Sequence, residues 1–148
     1  MEKNINDYIK EYLKIKIEIF PVENKYGRFI NNSSQRYYHF YFNDNLKEET
    51  KNYIDEEDNV TKIKIVIDSE VKNLFGLFCD IRFIKKINIV KFNRNYIKNM
   101  LYIFKECSSL EELNLSNFNT SNVTDMSQMY YGCSSLKKLN FLILILIM

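Results

Sequence analysis

Tryptophan is absent, proline occurs once and glycine three times. So little glycine and proline excludes collagen-like and low-complexity chains, and it leaves no Gly-rich loop to cradle a phosphate. Histidine occurs once, at His39, and the cysteines Cys79, Cys107 and Cys133 are widely spaced with no CxxC pair. A zinc site of Cys/His type therefore lacks its ligands, and no metal or other cofactor is expected. An excess of charge of one sign is lacking too. The 21 basic and 19 acidic residues are interspersed, so no basic stripe addresses a phosphate backbone and nucleic acid is not an expected partner. The first twenty residues carry charge at Glu2, Lys3, Asp7, Lys10, Glu11, Lys14, Lys16 and Glu18. No secretory h-region fits there, and the expected location is cytoplasmic.

The 148 residues, 46% hydrophobic, have room for one ordinary domain or for a short repeat array behind a small cap. Asn, Ile and Lys dominate, a bias of the kind an AT-rich genome produces. The informative feature is internal repetition. A shift of 26 residues superimposes Met100, Cys107, Ser108, Ser109, Leu110, Leu113 and Asn114 on Met126, Cys133, Ser134, Ser135, Leu136, Leu139 and Asn140. The same shift backwards places Asn73, Phe78, Asn88, Phe92 and Asn93 on Asn99, Phe104, Asn114, Phe118 and Asn119. Three copies follow, at about 71 to 96, 97 to 122 and 123 to 148, the last one damaged. A period of roughly 20 to 50 residues marks units that bury their apolar faces only by stacking.

Each copy reads LxxLxLxxF: Ile84, Ile87, Ile89 and Phe92, then Leu110, Leu113, Leu115 and Phe118. Leu113 and Leu115 alternate with Glu112, Asn114 and Ser116, which predicts a short strand with one buried face and a parallel sheet built from one strand per copy. Val123, Met126, Met129 and Tyr130 have helical spacing, so a short amphipathic turn capped by Thr124 or Asp125 is expected in the other half of the unit. The run from Cys107 through Ser-Ser-Leu-Glu-Glu-Leu-Asn-Leu to Met126 and Cys133 resembles the BspA-type leucine-rich repeat, specifically over 97 to 140 and more loosely over 63 to 96. That resemblance implies a non-enzymatic binding scaffold of a family often found at cell surfaces. The expected fold class is α/β: a leucine-rich-repeat solenoid of about three coils over 63–148, behind a small α+β module or cap over 1–62.

Stacking in this register predicts columns of equivalent residues about 5 Å apart. Lys85, Glu111 and Lys137 form one, Lys86, Glu112 and Lys138 a second, and Asn88, Asn114 and Asn140 a third. The alternating signs read either as a device for stacking order or as an ordinary solvated face; the amides can bond to one another or to a partner peptide. The concave strand face, with Lys86, Asn88, Glu112, Asn114, Ser116, Lys138 and Asn140, is the expected surface for a protein partner. Met100, Met126, Met129, Phe104, Tyr130 and the aligned cysteines read as core, and a disulfide between Cys107 and Cys133 is not expected in a reducing compartment.

Upstream, Ile5, Tyr8, Ile9 and Tyr12 have helical spacing, while Ile15, Ile17 and Ile19, the run from Tyr37 to Phe42, and Ile63, Ile65 and Ile67 read as strands. Glu48 to Asp58 reads as a loop or short helix. His39 lies in an aromatic run with no nucleophile motif, so a half-buried strand histidine is preferred to Cys/His chemistry. An enzyme site in the N-terminal module, or a gene fragment without function, are the alternatives to a scaffold.

The tail from Phe141 to Met148 is apolar throughout and too short for a membrane span, which needs about 20 residues. It reads as a repeat translated in a shifted frame: codons for this tail can be chosen whose neighbouring frame encodes Ser-Asn-Phe-Asn-Thr-Asn-Asn, the continuation of the preceding copy, so the chain reads as a truncated member of a longer array. Such an uncapped apolar edge favours self-association. Deleting residues 141 to 148 is expected to raise the soluble fraction on expression; an unchanged or lower soluble yield overturns this.

Overall fold

In the computed structural model, which describes residues 4–31 and 35–141, α1 (Ile5–Tyr12) is followed by β1 (Ile15–Pro21), β2 (Gly27–Arg28), a 3₁₀ turn (Gln35–Tyr37) and β3 (Tyr38–Phe42). After these come β4 (Tyr53–Ile54), a second 3₁₀ turn (Glu56–Asp58), β5 (Ile63–Ile67), β6 (Ile84–Lys91), β7 (Glu112–Leu115) and β8 (Lys138–Phe141). Alternation builds the sheet. Ile15, Ile17 and Ile19, then Ile63, Ile65 and Ile67, are buried, with charged or polar neighbours between most of them facing out. Tyr38, Phe40 and Phe42 do the same with aromatic rings, Phe40 meeting Phe29 edge to face at 5.0 Å. Helix α1 starts at Asn4, whose side chain accepts from the Asp7 amide. Its stripe of Ile5, Tyr8, Ile9 and Tyr12 has the expected spacing but is exposed.

The strand order is β3-β5-β1-β6-β7-β8, and β2 and β4 form a separate two-stranded ribbon. The pairings β3 with β5, β5 with β1 and β1 with β6 are antiparallel; β6 with β7 and β7 with β8 are parallel. This corrects the expected α/β leucine-rich-repeat solenoid behind a cap. The protein is a small β-rich domain with one mixed sheet, and α1 is the single α-helix among the described residues. Two physical causes account for the difference. First, β1 offers hydrogen-bonding edges on both sides, so the first repeat strand β6 extends the N-terminal sheet, and one hydrophobic cluster runs from Ile15 to Met129.

Second, the expected amphipathic helical turns do not form. Left-handed backbone recurs at Gly76, Tyr102 and Gln128 and again at Asp80, Glu106 and Gly132, which interrupts a right-handed helix every few residues. The amides there donate to the neighbouring copy: Phe78 N to Ile103 O (2.8 Å), Phe104 N to Met129 O (2.9 Å) and Glu106 N to Tyr131 O (2.7 Å). Asp125 accepts from Ser127 N and Oγ, a turn contact, where a helix cap was expected. Phe78 stacks on Phe104 at 5.8 Å in this layer. The apolar tail read as a shifted frame falls on residues 142 to 148, outside the described residues; Phe141 ends β8. No helix among the described residues is long and apolar enough to cross a membrane.

Arg94 joins the two halves. Fully buried, it donates Nε to Leu13 O (2.7 Å), Nη1 to Val71 O (2.6 Å) and Nη2 to Ile67 O (2.7 Å) and Asp68 O. The planar fork satisfies main-chain carbonyls at Leu13, at Ile67 and Asp68, and at Val71 at once, and burial pulls its pKa down from the ordinary arginine value. Arg94→Met strands these carbonyls without donors and is expected to cost about 3 kcal/mol or more in urea unfolding, and Arg94→Lys is expected to recover little because one ammonium cannot reach all four. A loss below about 1 kcal/mol for Arg94→Met overturns this.

Candidate functional site

Because the odd-numbered isoleucines of β1 and β5 point inward, their neighbours emerge on the opposite face, in line with the outward residues of the repeat strands. The register threads one row across all six strands: Tyr41 opposite Lys64, Lys64 opposite Glu18, Glu18 opposite Asn88, Asn88 opposite Asn114, and Asn114 opposite Asn140. A second row runs Phe20, Lys86, Glu112, Lys138. A third runs His39, Val66, Lys16, Lys91.

The first row is a directed hydrogen-bond chain. Asn114 Nδ2 donates to Asn88 Oδ1 at 2.9 Å, and Asn88 Nδ2 donates to Glu18 Oε2 at 3.3 Å. The carboxylate at its end accepts only, which fixes the direction of both amides. In the second row Lys86 Nζ lies 3.3 Å from Glu112 Oε2 and 5.5 Å from the centre of the Phe20 ring. The partly exposed pair is worth about 0 to 1 kcal/mol, so it orders the face more than it stabilises the fold. A shallow groove of about 120 Å³ opens between Lys86, Glu112, Asn114, Lys138 and Asn140. A larger hollow of about 370 Å³ lies elsewhere, between residues 21 to 26 and 54 to 61, and neither histidine nor cysteine lines it.

Of the residues expected from the sequence, Lys86, Asn88, Glu112, Asn114, Lys138 and Asn140 share this face. Ser116 lies just beyond β7, where its amide donates to Asn114 Oδ1 at 3.1 Å. Glu18, Phe20, Tyr41 and Lys64 were not anticipated. Their alternation with buried residues marked an outward face, but the partner of β1 was not legible. Lys137 Nζ lies 3.2 Å from Glu111 Oε2 in the neighbouring column. All three cysteines are free thiols; Cys107 and Cys133 donate to Phe78 O and Phe104 O, and the Cys133 thiol together with burial pushes Cys107 far up. No group of three His, Cys, Asp or Glu side chains fit to hold a metal exists among the described residues.

His39 is half-buried on β3, as expected, and both ring nitrogens are engaged: Nδ1 lies 2.8 Å from Glu48 Oε1 and Nε2 lies 3.0 Å from Asp68 Oδ2. Burial disfavours the imidazolium, but the hydrogen bonds to Asp68 and Glu48 outweigh it, raising the pKa above the ordinary 6.5. This is the bridge of a loop and a strand end. A raised folded pKa contributes stability that is full below the unfolded value near 6.5 and is lost as pH rises through the folded value. His39→Gln is therefore expected to lower Tm by about 2 to 4 °C near pH 5.5 and by clearly less near pH 8.5. Thermal unfolding of both proteins at each pH checks this, and a gap that widens with pH overturns it.

The family model described as "Mycoplasma protein of unknown function, DUF285" matches residues 41–141, from the outer edge of the N-terminal strands through all three repeat strands. No curated protein and no solved structure matches the chain. The matched residues hold five of the six strands of the sheet in whole or in part, and most of the polar rows, and they are well over half of the chain, which therefore belongs to this family of Mycoplasma proteins of unknown function, DUF285.

Proposed function

We propose that this chain is a non-enzymatic interaction scaffold whose outward sheet face binds a protein partner. The observation that carries the reading is the row from Tyr41 to Asn140, polar at every position and continuous over six strands, on a sheet whose other face is core from β3 to β7 and exposes Leu139 on β8. A broad shallow surface of amides and paired charges suits a protein and offers a small molecule little enclosure. The resemblance of residues 97 to 140 to the BspA-type repeat supports the same role, since that family is read as surface and interaction proteins without chemistry in the repeats. His39 bridges Glu48 and Asp68 and lines neither the groove nor the larger hollow, which favours a binding role over an enzyme site in the N-terminal strands.

Panning a random twelve-residue peptide library on the folded chain is expected to enrich sequences that bind at least about tenfold more weakly to Asn114→Arg, and more weakly to the milder Asn114→Ala, with both variants keeping the wild-type circular dichroism spectrum. Selected peptides that bind wild type and both variants alike overturn the assignment of this face.

A further inference from the structure

The three rows contain Lys16, Lys64, Lys86, Lys91 and Lys138 against Glu18 and Glu112. Without these, 16 basic and 17 acidic residues are left of the chain's 21 and 19, so the row positions are net positive, with Glu11 reaching Lys16 at 3.5 Å and Glu48 and Asp68 reaching His39 in the third row. The two carboxylates of the rows are already engaged. Glu18 accepts from Asn88 and lies 3.8 Å from Lys62 Nζ, and Glu112 pairs with Lys86. Lys64 lies over the Tyr41 ring at 4.5 Å, and neither it nor Lys138 has a carboxylate within 4 Å among the described residues. Lys64 lies on β5, two strands before the asparagine ladder begins, and Lys138 lies on β8 beside the ladder's last member, Asn140.

We propose that the face takes an acidic, extended segment of a partner protein, laid across the strands from β5 to β8. This deepens the binding-face reading and rests on it. Four strand spacings separate Lys64 from Lys138, about 19 Å, the reach of about six extended residues. Carboxylates at the two ends of such a segment meet the two free ammonium groups, its middle meets Asn88 and Asn114, and its β8 end meets Asn140 beside Lys138, the amides accepting and donating without charge. In an extended chain alternate side chains point away, so acidic residues can be spaced to miss Glu18 and Glu112. A nucleic acid strand differs even from an all-glutamate peptide: its phosphates lie in the backbone and cannot turn alternately away, so the two glutamates between the lysines oppose it.

The probe is a fluorescein-labelled deca-glutamate peptide, followed by anisotropy with the full chain at about 25 and about 300 mM salt. Binding is expected to weaken about tenfold in the doubly substituted Lys64→Glu, Lys138→Glu protein, about fivefold in Lys64→Gln, Lys138→Gln, and also at the higher salt. It is expected to change less than about twofold in Lys25→Glu, Lys98→Glu, which alters net charge equally at exposed positions outside the rows. Equal losses for the Lys64, Lys138 and the Lys25, Lys98 pairs, or tighter binding of labelled ten-nucleotide oligo-dT than of deca-glutamate, overturn the proposal. If deca-glutamate fails to bind while panning still yields face-dependent peptides, the acidic partner falls and the binding face stands; if panning also ignores the face, both fall.

Discussion

Strand β1 is hydrogen-bonded on both edges, and the rest of the molecule depends on that. Its three isoleucines are buried between β5 and β6, where Ile17 lies opposite Ile65 on one side and Ile89 on the other. A slip of one residue against either neighbour turns all three isoleucines to water, and burying each contributes about 1.5 to 3 kcal/mol, so the register is strongly set. The same pairing that holds the core places Glu18 beside Asn88. Core and surface row are two consequences of one alternation.

The parallel half is tied at two levels. On the sheet side, β6, β7 and β8 pair in the 26-residue register of the repeat, Asn88 with Asn114 with Asn140. On the far side, amides of one copy donate to carbonyls of the next, with Phe78 on Phe104 and Phe92 against Phe118 at 4.5 Å filling the space between. Polar side chains repeat the pattern: Asn117 donates to Ile89 O and Asn122 to Asn95 O. Backbone groups that a helix would satisfy within itself are satisfied between copies, which is why the second half of each unit stays a chain of turns. Arg94 then closes the junction with the upstream segment.

The strands were legible where alternation was clear, at Ile15 to Ile19, Ile63 to Ile67 and Glu112 to Leu115, because period two is a local property, and the aromatic run from Tyr37 to Phe42 marked a further one by its composition. The columns from Lys86 to Lys138 and from Asn88 to Asn140 were legible from the repeat itself. What could not be read is non-local. Nothing in residues 15 to 21 states that their second edge meets residues 84 to 91, and periodicity at Val123 to Tyr130 is blind to left-handed backbone at Gln128 and Gly132. Of the residues with helical spacing there, Met129 is buried, Val123 and Met126 are half-buried, and Tyr130, expected in the core, is exposed. Arg94 carried no signal, since a lone arginine among asparagines reads as surface and its four partners are main-chain carbonyls. For the same reason the polar face was read as stopping at β6, when it continues through β1 and β5 to Tyr41.

That continuation changes how the face works. Glu18 belongs to the segment before the repeats, yet its carboxylate decides which way the repeat amides point: Asn88 turns its NH₂ toward β1, leaving its carbonyl oxygen to Asn114, whose own carbonyl oxygen is left facing away and is taken by the Ser116 amide. An apolar or basic residue at Glu18 removes the acceptor that orients this series, whose bonds run from β1 through Asn88 to Asn114. The direction of the ladder, and with it the donor and acceptor pattern met by anything that binds there, is thus set by a single charge outside the repeated units. Sequence repetition makes the strands equivalent, and the antiparallel neighbour makes their surfaces different, with Asn140 at the far end least constrained and most available.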